Sequence, residues 1–383
     1  MFQSWYATCP RGAEEVLAGE LAGIGAKGIR PGRGGVRFTG EREVALRGCL
    51  ALRTALRVLE PVGEFPAESS DELYAGAREL PWEELIAPGQ TIAVSASGRA
   101  PGLSHTRFVE QRTKDAIVDR LREVRGDRPD VELRSPDVLV VVHLGEGRCD
   151  VSLDLAGELL SNRGYRVRTV EAPLREALAA AVVLLSGWDG TTPLHDPLCG
   201  SGTIAIEAAF VALRRAPNLR RTLSCERWPR TKQDRPLIAR LREELSALEV
   251  RGEVPPILAS DRDPDAVAAA SANVRAAAVP VRTFERDARR IEPATPPGHV
   301  VANVPYGERL SAGSRKQLKS FYHSLGDALG ALPGHRLALL SASEDFESAF
   351  GLRPKSRTTL WNGPLRCTLY RYERWSTPGP AAS

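Results

Sequence analysis

The chain has 383 residues, 42% hydrophobic and 26% charged, which suits two or three packed domains and excludes a disordered polymer. The N-terminal stretch MFQSWYATCPRGAEE lacks a basic region followed by an apolar core. The longest apolar run, residues 177–188, falls short of the roughly 20 residues that a bilayer span needs. A cytoplasmic protein with no membrane partner is expected. Six cysteines, at 9, 49, 149, 199, 225 and 367, show neither CxxC spacing nor companion histidines. They argue against a zinc site and a disulfide scaffold, so no metal is expected and each cysteine reads as a small buried side chain.

In chain order, WYATC reads as a strand, GAEEVLAGELAGIG as a helix and GGVRFTG as a strand. REVALRGCLALRTALRVL then has helical periodicity. From about residue 70 to 155 a helix, ELYAGARELPWEEL, precedes the strand TIAVSASG and the long helix RFVEQRTKDAIVDRLREV. Two strands close this part, DVLVVVHLGEG and CDVSLDLAG, separated by a glycine-containing turn that predicts a hairpin. Beyond residue 165 helices and strands alternate. Helix 173–186, strand TTPLHDPL and helix TIAIEAAFVALRRA are followed by PPILASD, PDAVAAASANVRAAA, VRTFERD and HVVANV. Strands alternating with helices of 10–15 residues imply βαβ units and an α/β, doubly wound parallel sheet.

Charge is uneven along the chain. Residues 1–170 carry 23 basic and 25 acidic groups, leaving +6 for residues 171–383. The densest patch, 214–240, holds eight arginines and Lys232 against Glu226 and Asp234. Such a cluster suits phosphate contacts. A general preference for arginine over lysine, 46 to 6, would account for part of it.

The strongest local signal is HDPLCGSGTIAIEAA, residues 195–209. An acidic residue ends a strand, a Gly-x-Gly turn follows, and an apolar helix begins at once. Glycines let the backbone approach a ligand, and a helix N-terminus offers unpaired N–H groups. No GK[ST] follows and the GxGxxG fingerprint is incomplete, so neither a phosphate loop nor a full dinucleotide site is read. Asp261 and Asp287 end two further strands, where one could accept from ribose hydroxyls and the other from an exocyclic amine. The same aspartates would serve equally well as helix caps. Asp263-Pro264 is read simply as a helix start. Asn303-Val304-Pro305-Tyr306 closes HVVANV on the same edge. An amide oxygen and a backbone carbonyl could accept both hydrogens of a planar amino group there, with Tyr306 stacked on its ring.

Together these residues resemble the class I methyltransferases that use S-adenosylmethionine to modify exocyclic amino nitrogens. DPLCGSGT looks like their cofactor loop, and NVPY like their N-P-P-Y tetrad. RGAEEVLAGEL, GGVRFTG, KDAIVD, SLDLAGELL, RGYR, APLREALAAA and NGPL are similar, in the same order, to segments of one group. That group is the bacterial large-subunit rRNA guanine-N2 methyltransferases with a THUMP domain. The likeness runs from about residue 4 to 375 and corresponds to the N-terminal half of enzymes that some bacteria fuse to a second methyltransferase.

The resemblance implies a ferredoxin-like region at 1–65, an RNA-binding THUMP domain at 66–160 and a Rossmann-like methyltransferase domain at 161–376. An arginine-rich insertion at about 215–255 and a flexible tail at 377–383 complete the expectation. S-adenosylmethionine would be held by Asp196, Pro197, Cys199, Gly200, Ser201, Gly202, Thr203, Asp261, Asp287 and Asn303. Asn303, Val304, Pro305 and Tyr306 would orient the target base. Lys114, Arg163, Arg166, Arg214, Arg215, Arg220 and Arg221 are the expected contacts to large-subunit rRNA or its assembly intermediates. Val304 replaces the proline of the family tetrad. Its carbonyl survives the replacement, so activity is expected to survive too. The alternatives are a tRNA guanine-N2 methyltransferase, a DNA adenine-N6 methyltransferase and a non-catalytic assembly factor.

Overall fold

The structure, a computed structural model, describes residues 3–170, 173–307 and 312–373. The tail 377–383 and residues 308–310, which follow the tetrad, lie outside that description. The elements in the first part of the chain are β1 (Gln3–Thr8), α1 (Glu14–Gly23), β2 (Lys27–Gly32), β3 (Gly35–Gly40), α2 (Arg42–Ala51), β4 (Arg57–Pro66), α3 (Ser70–Arg78), α4 (Trp82–Leu85), β5 (Ile92–Gly98), α5 (Thr106–Arg125), β6 (Val138–Gly145) and β7 (Arg148–Asp154). They are followed by α6 (Glu176–Leu185), β8 (Leu194–Asp196), α7 (Thr203–Ala212), α8 (Arg235–Ala247), β9 (Ile257–Asp261), α9 (Pro264–Ala277), β10 (Val281–Glu285), β11 (His299–Asn303), α10 (Ala312–Gly330), β12 (Arg336–Ser341), α11 (Phe346–Phe350), β13 (Ser356–Asn362) and β14 (Leu365–Tyr372). Among the described residues no helix is long and apolar enough to cross a membrane. All six cysteines are buried.

Two compact units result. One comprises Met1–Cys9, Ala18–Leu160 and Asn218–Glu244; the other comprises Pro10–Leu17, Ser161–Pro217 and Leu245–Ser383. In the first, seven strands form one sheet in the order β2-β3-β1-β4-β7-β6-β5. The expected hairpin is present: β6 and β7 pair antiparallel, and Glu146 and Gly147 turn between them with φ of 52° and 74°, as a two-residue primed turn requires.

The helix expected from residue 42 to 59 is shorter than its periodicity suggested. It ends at Ala51, and Val58 and Leu59 belong instead to β4, both buried. β4 pairs with β1 on one side and β7 on the other, so it joins the strands of the first 40 residues to those beyond residue 90. Its register shifts between Pro61 and Gly63, as a bulge at two weak strand formers allows. That irregularity hid the strand from a search for strict alternation.

The arginine-rich segment 218–244 belongs to this first unit, and acidic side chains distant in sequence neutralise much of it. Arg227 pairs with Asp137 at 3.3 Å, Arg230 with Glu60 at 2.9 Å and Arg240 with Glu43 at 2.6 Å. Arg242 is held by Glu226 at 2.6 Å. Charge counted along the chain therefore overstates charge in space.

The second unit carries the sheet β10-β9-β8-β11-β12-β14-β13. β8 to β12 run parallel, and β14 is antiparallel to both β12 and β13. α6 and α7 are apolar almost all round and buried accordingly. Val300, Ala302, Val304, Tyr322, Phe346 and Phe350 belong to one core cluster. Within it the Phe346 ring lies 5.0 Å from Phe350 and 5.1 Å from Tyr322. Strand order reverses between β8 and β11, and ligands of open α/β sheets bind at the carboxyl ends of strands at such a reversal. Asp196 ends β8 and Asn303 ends β11.

Candidate active site

The loop after β8 is fixed by its own backbone and by two acidic side chains. Cys199 N–H donates to the Ser260 carbonyl at 3.0 Å, and Gly202 N–H to the Cys199 carbonyl at 2.7 Å. Gly200 N–H donates to the Asp261 carboxylate at 3.0 Å, and Leu198 N–H to Asp196 Oδ1 at 3.2 Å. Gly200 and Gly202 have φ of 50° and 81°, in the left-handed region. A Cβ on Gly202 would lie 3.1 Å from the Cβ of Ala270, so the turn admits glycine there for room as well as for torsion. α7 starts at the next residue, Thr203, with its first N–H groups at the loop.

Asp196 is buried, and burial first, then the neighbouring Asp261, raises its pKa well above the usual carboxylate range. Burial there favours the neutral, protonated acid. Pro197 is buried beside it. Burial drives the Cys199 thiol upward, away from reactivity.

Asp261 braces the loop and also accepts from Asp263 N–H at 3.1 Å. Asp263 caps α9 by accepting from Asp265 N–H, with Pro264 at the first helical position, as read from the sequence. Asp287 caps a short 3-10 turn, Ala288–Arg290, and is clasped by the Arg289 guanidinium. That hydrogen bond is the main cause of a pKa lowered to about 2. The capping alternative is thus what Asp287 does in this structure.

On the other side of the reversal, Asn303 is half-buried and its Oδ1 is fully buried. Among the described residues that oxygen accepts no hydrogen bond. A buried acceptor left unmet costs about 1–3 kcal/mol, and such an atom calls for an explanation. Val304 is buried in the core cluster and its N–H donates to the Leu340 carbonyl at 2.8 Å. The exposed Pro305 is pinned through its carbonyl, which accepts from the Tyr322 hydroxyl at 2.7 Å. Tyr306 is half-buried beyond it.

Two of the expected RNA contacts are corrected here. The Arg163 side chain is 1% exposed and pairs with Glu207, 0% exposed, at 3.3 Å; a buried guanidinium cannot reach RNA. Arg166 holds the cofactor loop instead. It donates to Glu176 at 2.9 Å, to Ser201 Oγ at 3.1 Å, to Thr203 Oγ1 at 3.2 Å and to the Leu174 carbonyl at 2.8 Å. Arg215 is engaged by Glu249 and by the carbonyls of Ala277 and Ala278. Arg221 donates to the Glu158 carbonyl, and Lys114 pairs with Asp115 at 3.1 Å. Arg214 and Arg220 are exposed.

Sequence reasoning missed Asn273. It is fully buried on α9, its Oδ1 accepts from Val167 and Arg168 N–H, and its Nδ2 donates to the carbonyls of Arg168 and Ser201. A lone amide in the alanine-rich run AAASANVRAAA was the available signal. The segment 165–168 is thus tied to the loop by Arg166 and Asn273, while the Tyr165 hydroxyl meets Glu207 at 2.9 Å.

This strand order, the glycine loop after β8 and the acidic ends of β8 and β9 define a class I, S-adenosylmethionine-dependent methyltransferase. The cofactor fits the residues present: a glycine turn that opens directly into an apolar helix, acidic side chains at the ends of β8 and β9, and an amide oxygen across the strand-order reversal that has no donor among the described residues.

Comparison with known proteins agrees. Residues 163–371 match the RMKL-like methyltransferase domain, 67–154 the THUMP domain and 4–59 the RlmL ferredoxin-like domain. The chain belongs to the RMKL-like methyltransferase family. It is 39% identical to the ribosomal RNA large subunit methyltransferase K/L of Aeromonas salmonicida, over 97% of this chain and 54% of that protein. It therefore spans about half the length of the curated K/L relatives. The Synechocystis protein slr0064, provisionally named an RNA methyltransferase, is 34% identical over 96% of both chains. The crystal structure of SMU.472 complexed with SAH superposes with a TM-score of 0.87 at 30% identity, covering 98% of this chain and 99% of that one.

Proposed function

We propose that this chain methylates the exocyclic N2 of a guanine in large-subunit rRNA. The observation that carries the reading is the Asn303 amide oxygen, buried and without a hydrogen-bond donor among the described residues, at a strand end next to the cofactor loop. The names of the K/L relatives and the THUMP match support an RNA substrate.

Bound S-adenosylmethionine supplies an electrophilic methyl group on a sulfonium. Asn303 Oδ1 and the Val304 carbonyl accept the two N2 hydrogens, which aims the nitrogen lone pair at that methyl. Tyr306 holds the base flat, a stacking contact worth about 1–3 kcal/mol. Transfer would form the N–C bond at the expense of the C–S bond, with S-adenosylhomocysteine as the other product and the amine proton passing to water. Alignment supplies most of the rate, so no strongly basic side chain is needed. The base must leave its stack first, at a cost of a few kcal/mol that unpaired loops lower. Exposed Arg214 and Arg220, together with Lys114, Arg215 and Arg221, remain the expected RNA contacts of the original set.

The test uses tritiated cofactor with rRNA from a strain lacking the gene, total tRNA and unmethylated DNA, followed by mapping of the modified nucleotide. Label at guanine N2 of large-subunit rRNA is expected. Label confined to tRNA or to adenine N6, or cofactor binding with no transfer to any of the three, would overturn the reading.

A further inference from the structure

The cofactor loop, Asp261 and Asp287 all lie at the ends of β8, β9 and β10, to one side of the strand-order reversal. On the other side the second unit has a separate concavity of about 440 Å³ that abuts Tyr306 and Gly307. One wall is α10. Tyr322 anchors that wall with a fully buried ring and the hydroxyl that holds the Pro305 carbonyl. Lys319 and Arg315 stand three and seven residues earlier, on the same stripe of the helix, and both line the groove. Their side chains are 48% and 64% exposed, and both converge on Asp345, which is 19% exposed, at 3.1 and 2.5 Å.

Two outward-facing cations thus share one sheltered carboxylate, which holds them in place in the absence of any ligand. Glu344 is the other acid lining the groove, so an anion is drawn here by the placement of the cations rather than by net charge. Leu318 and Leu365 add apolar lining suited to a sugar. A base pressed against Tyr306, with its amino group at Asn303, leaves its ribose and phosphate on the substrate side of the tetrad, where the groove lies.

We infer that this groove seats the phosphodiester backbone at the target nucleotide, with Arg315 and Lys319 as its phosphate ligands. Arginine suits two phosphate oxygens at once and lysine acts as a point charge. This rests on the RNA substrate proposed above and adds the path by which the strand enters.

The experiment measures binding of an rRNA fragment by the full chain over a series of salt concentrations, beside cofactor affinity and KM for RNA. Arg315→Gln with Lys319→Gln is expected to raise Kd and KM for RNA about tenfold. It should make the dependence of log affinity on log salt shallower by about 1.5, near the 0.7–0.9 expected per phosphate contact. Cofactor affinity should be retained. Lys316→Gln, on the same helix but outside the groove, should change the slope by less than half as much. The charge-preserving Arg315→Lys with Lys319→Arg should keep the slope.

An unchanged slope in the neutral double variant, with the wild type active, overturns the backbone seat alone. So does a charge-preserving variant that loses as much RNA affinity as the neutral one while still binding cofactor. A wild-type protein that binds cofactor and methylates no RNA overturns the underlying reading instead.

Discussion

The Val304 N–H donates to the Leu340 carbonyl at 2.8 Å, one residue beyond Asn303↔Leu340, the last pair in the β11–β12 register. Proline, which the family tetrad carries at this position, has no N–H to give. The valine side chain is also 0% exposed in the core cluster. Valine at 304 is therefore integrated into this chain's packing rather than left over from a damaged site. Val304→Pro is expected to lower stability by about 1–3 kcal/mol, the cost of an unmet buried carbonyl, and to bring no gain in methyl transfer. A thermal melt and a turnover assay check this; a several-fold gain in rate would show that the natural valine handicaps the site.

Asn303 offers a sharper test, because its amide oxygen has no donor among the described residues. Asn303→Ala is expected to lower methyl transfer by at least 10²-fold, since alignment of the amino group is lost, while cofactor affinity is retained. Removal of an unsatisfied buried acceptor also relieves a cost of about 1–3 kcal/mol. Set against the small side chain lost, stability should change little or rise. A variant that melts earlier and turns over normally would mean that the amide serves the fold and not the reaction.

What the sequence made legible followed from local chemistry. The Gly-x-Gly turn, the acidic ends of β8 and β9 and the Asp263-Pro264 helix start are each set within a few residues, and each is found where expected. Features that depend on distant partners were not legible. β4 is a strand because β1 and β7 flank it, and its own Pro61 and Gly63 argue otherwise. The arginines of 214–240 read as phosphate contacts because the acidic partners of three of them, Glu43, Glu60 and Asp137, lie 90 or more residues away in sequence. Arg163 and Arg166 misled in the same way: nothing near RGYR announces Glu207 or Thr203.

Those two arginines now carry opposite expectations. Breaking the buried Arg163–Glu207 pair with Arg163→Ala strands a carboxylate in the core, which costs about 3–5 kcal/mol, so the melting temperature should drop sharply. Arg166→Ala should instead weaken cofactor binding about 10- to 100-fold, because Ser201 and Thr203 lose the guanidinium that positions them. Arg166→Lys should recover part of this, since one ammonium cannot span all four partners. RNA affinity measured without cofactor should be unaffected by Arg166→Ala. A loss of RNA affinity with normal cofactor binding would restore Arg166 to the RNA surface.

The raised pKa of Asp196 makes cofactor binding depend on pH, and the sign follows from the charge of the ligand. In the free protein, burial and then Asp261 favour the protonated acid. A cationic ligand beside it favours the carboxylate, so binding of S-adenosylmethionine is expected to release a proton. Affinity should then be full above the raised folded-state pKa and decline as pH falls through it. The same shift bears on stability. The free protein binds a proton here more tightly than the unfolded chain does, so this contribution is present below the unfolded-state value of about 3.9 and is lost as pH rises through the folded value. Calorimetric titration in buffers of different ionisation enthalpy counts the protons released on binding. Asp196→Asn should abolish the release and flatten the pH profile. A wild-type protein whose cofactor affinity does not change with pH, with no proton exchanged on binding, would show that Asp196 is already ionised when the cofactor arrives.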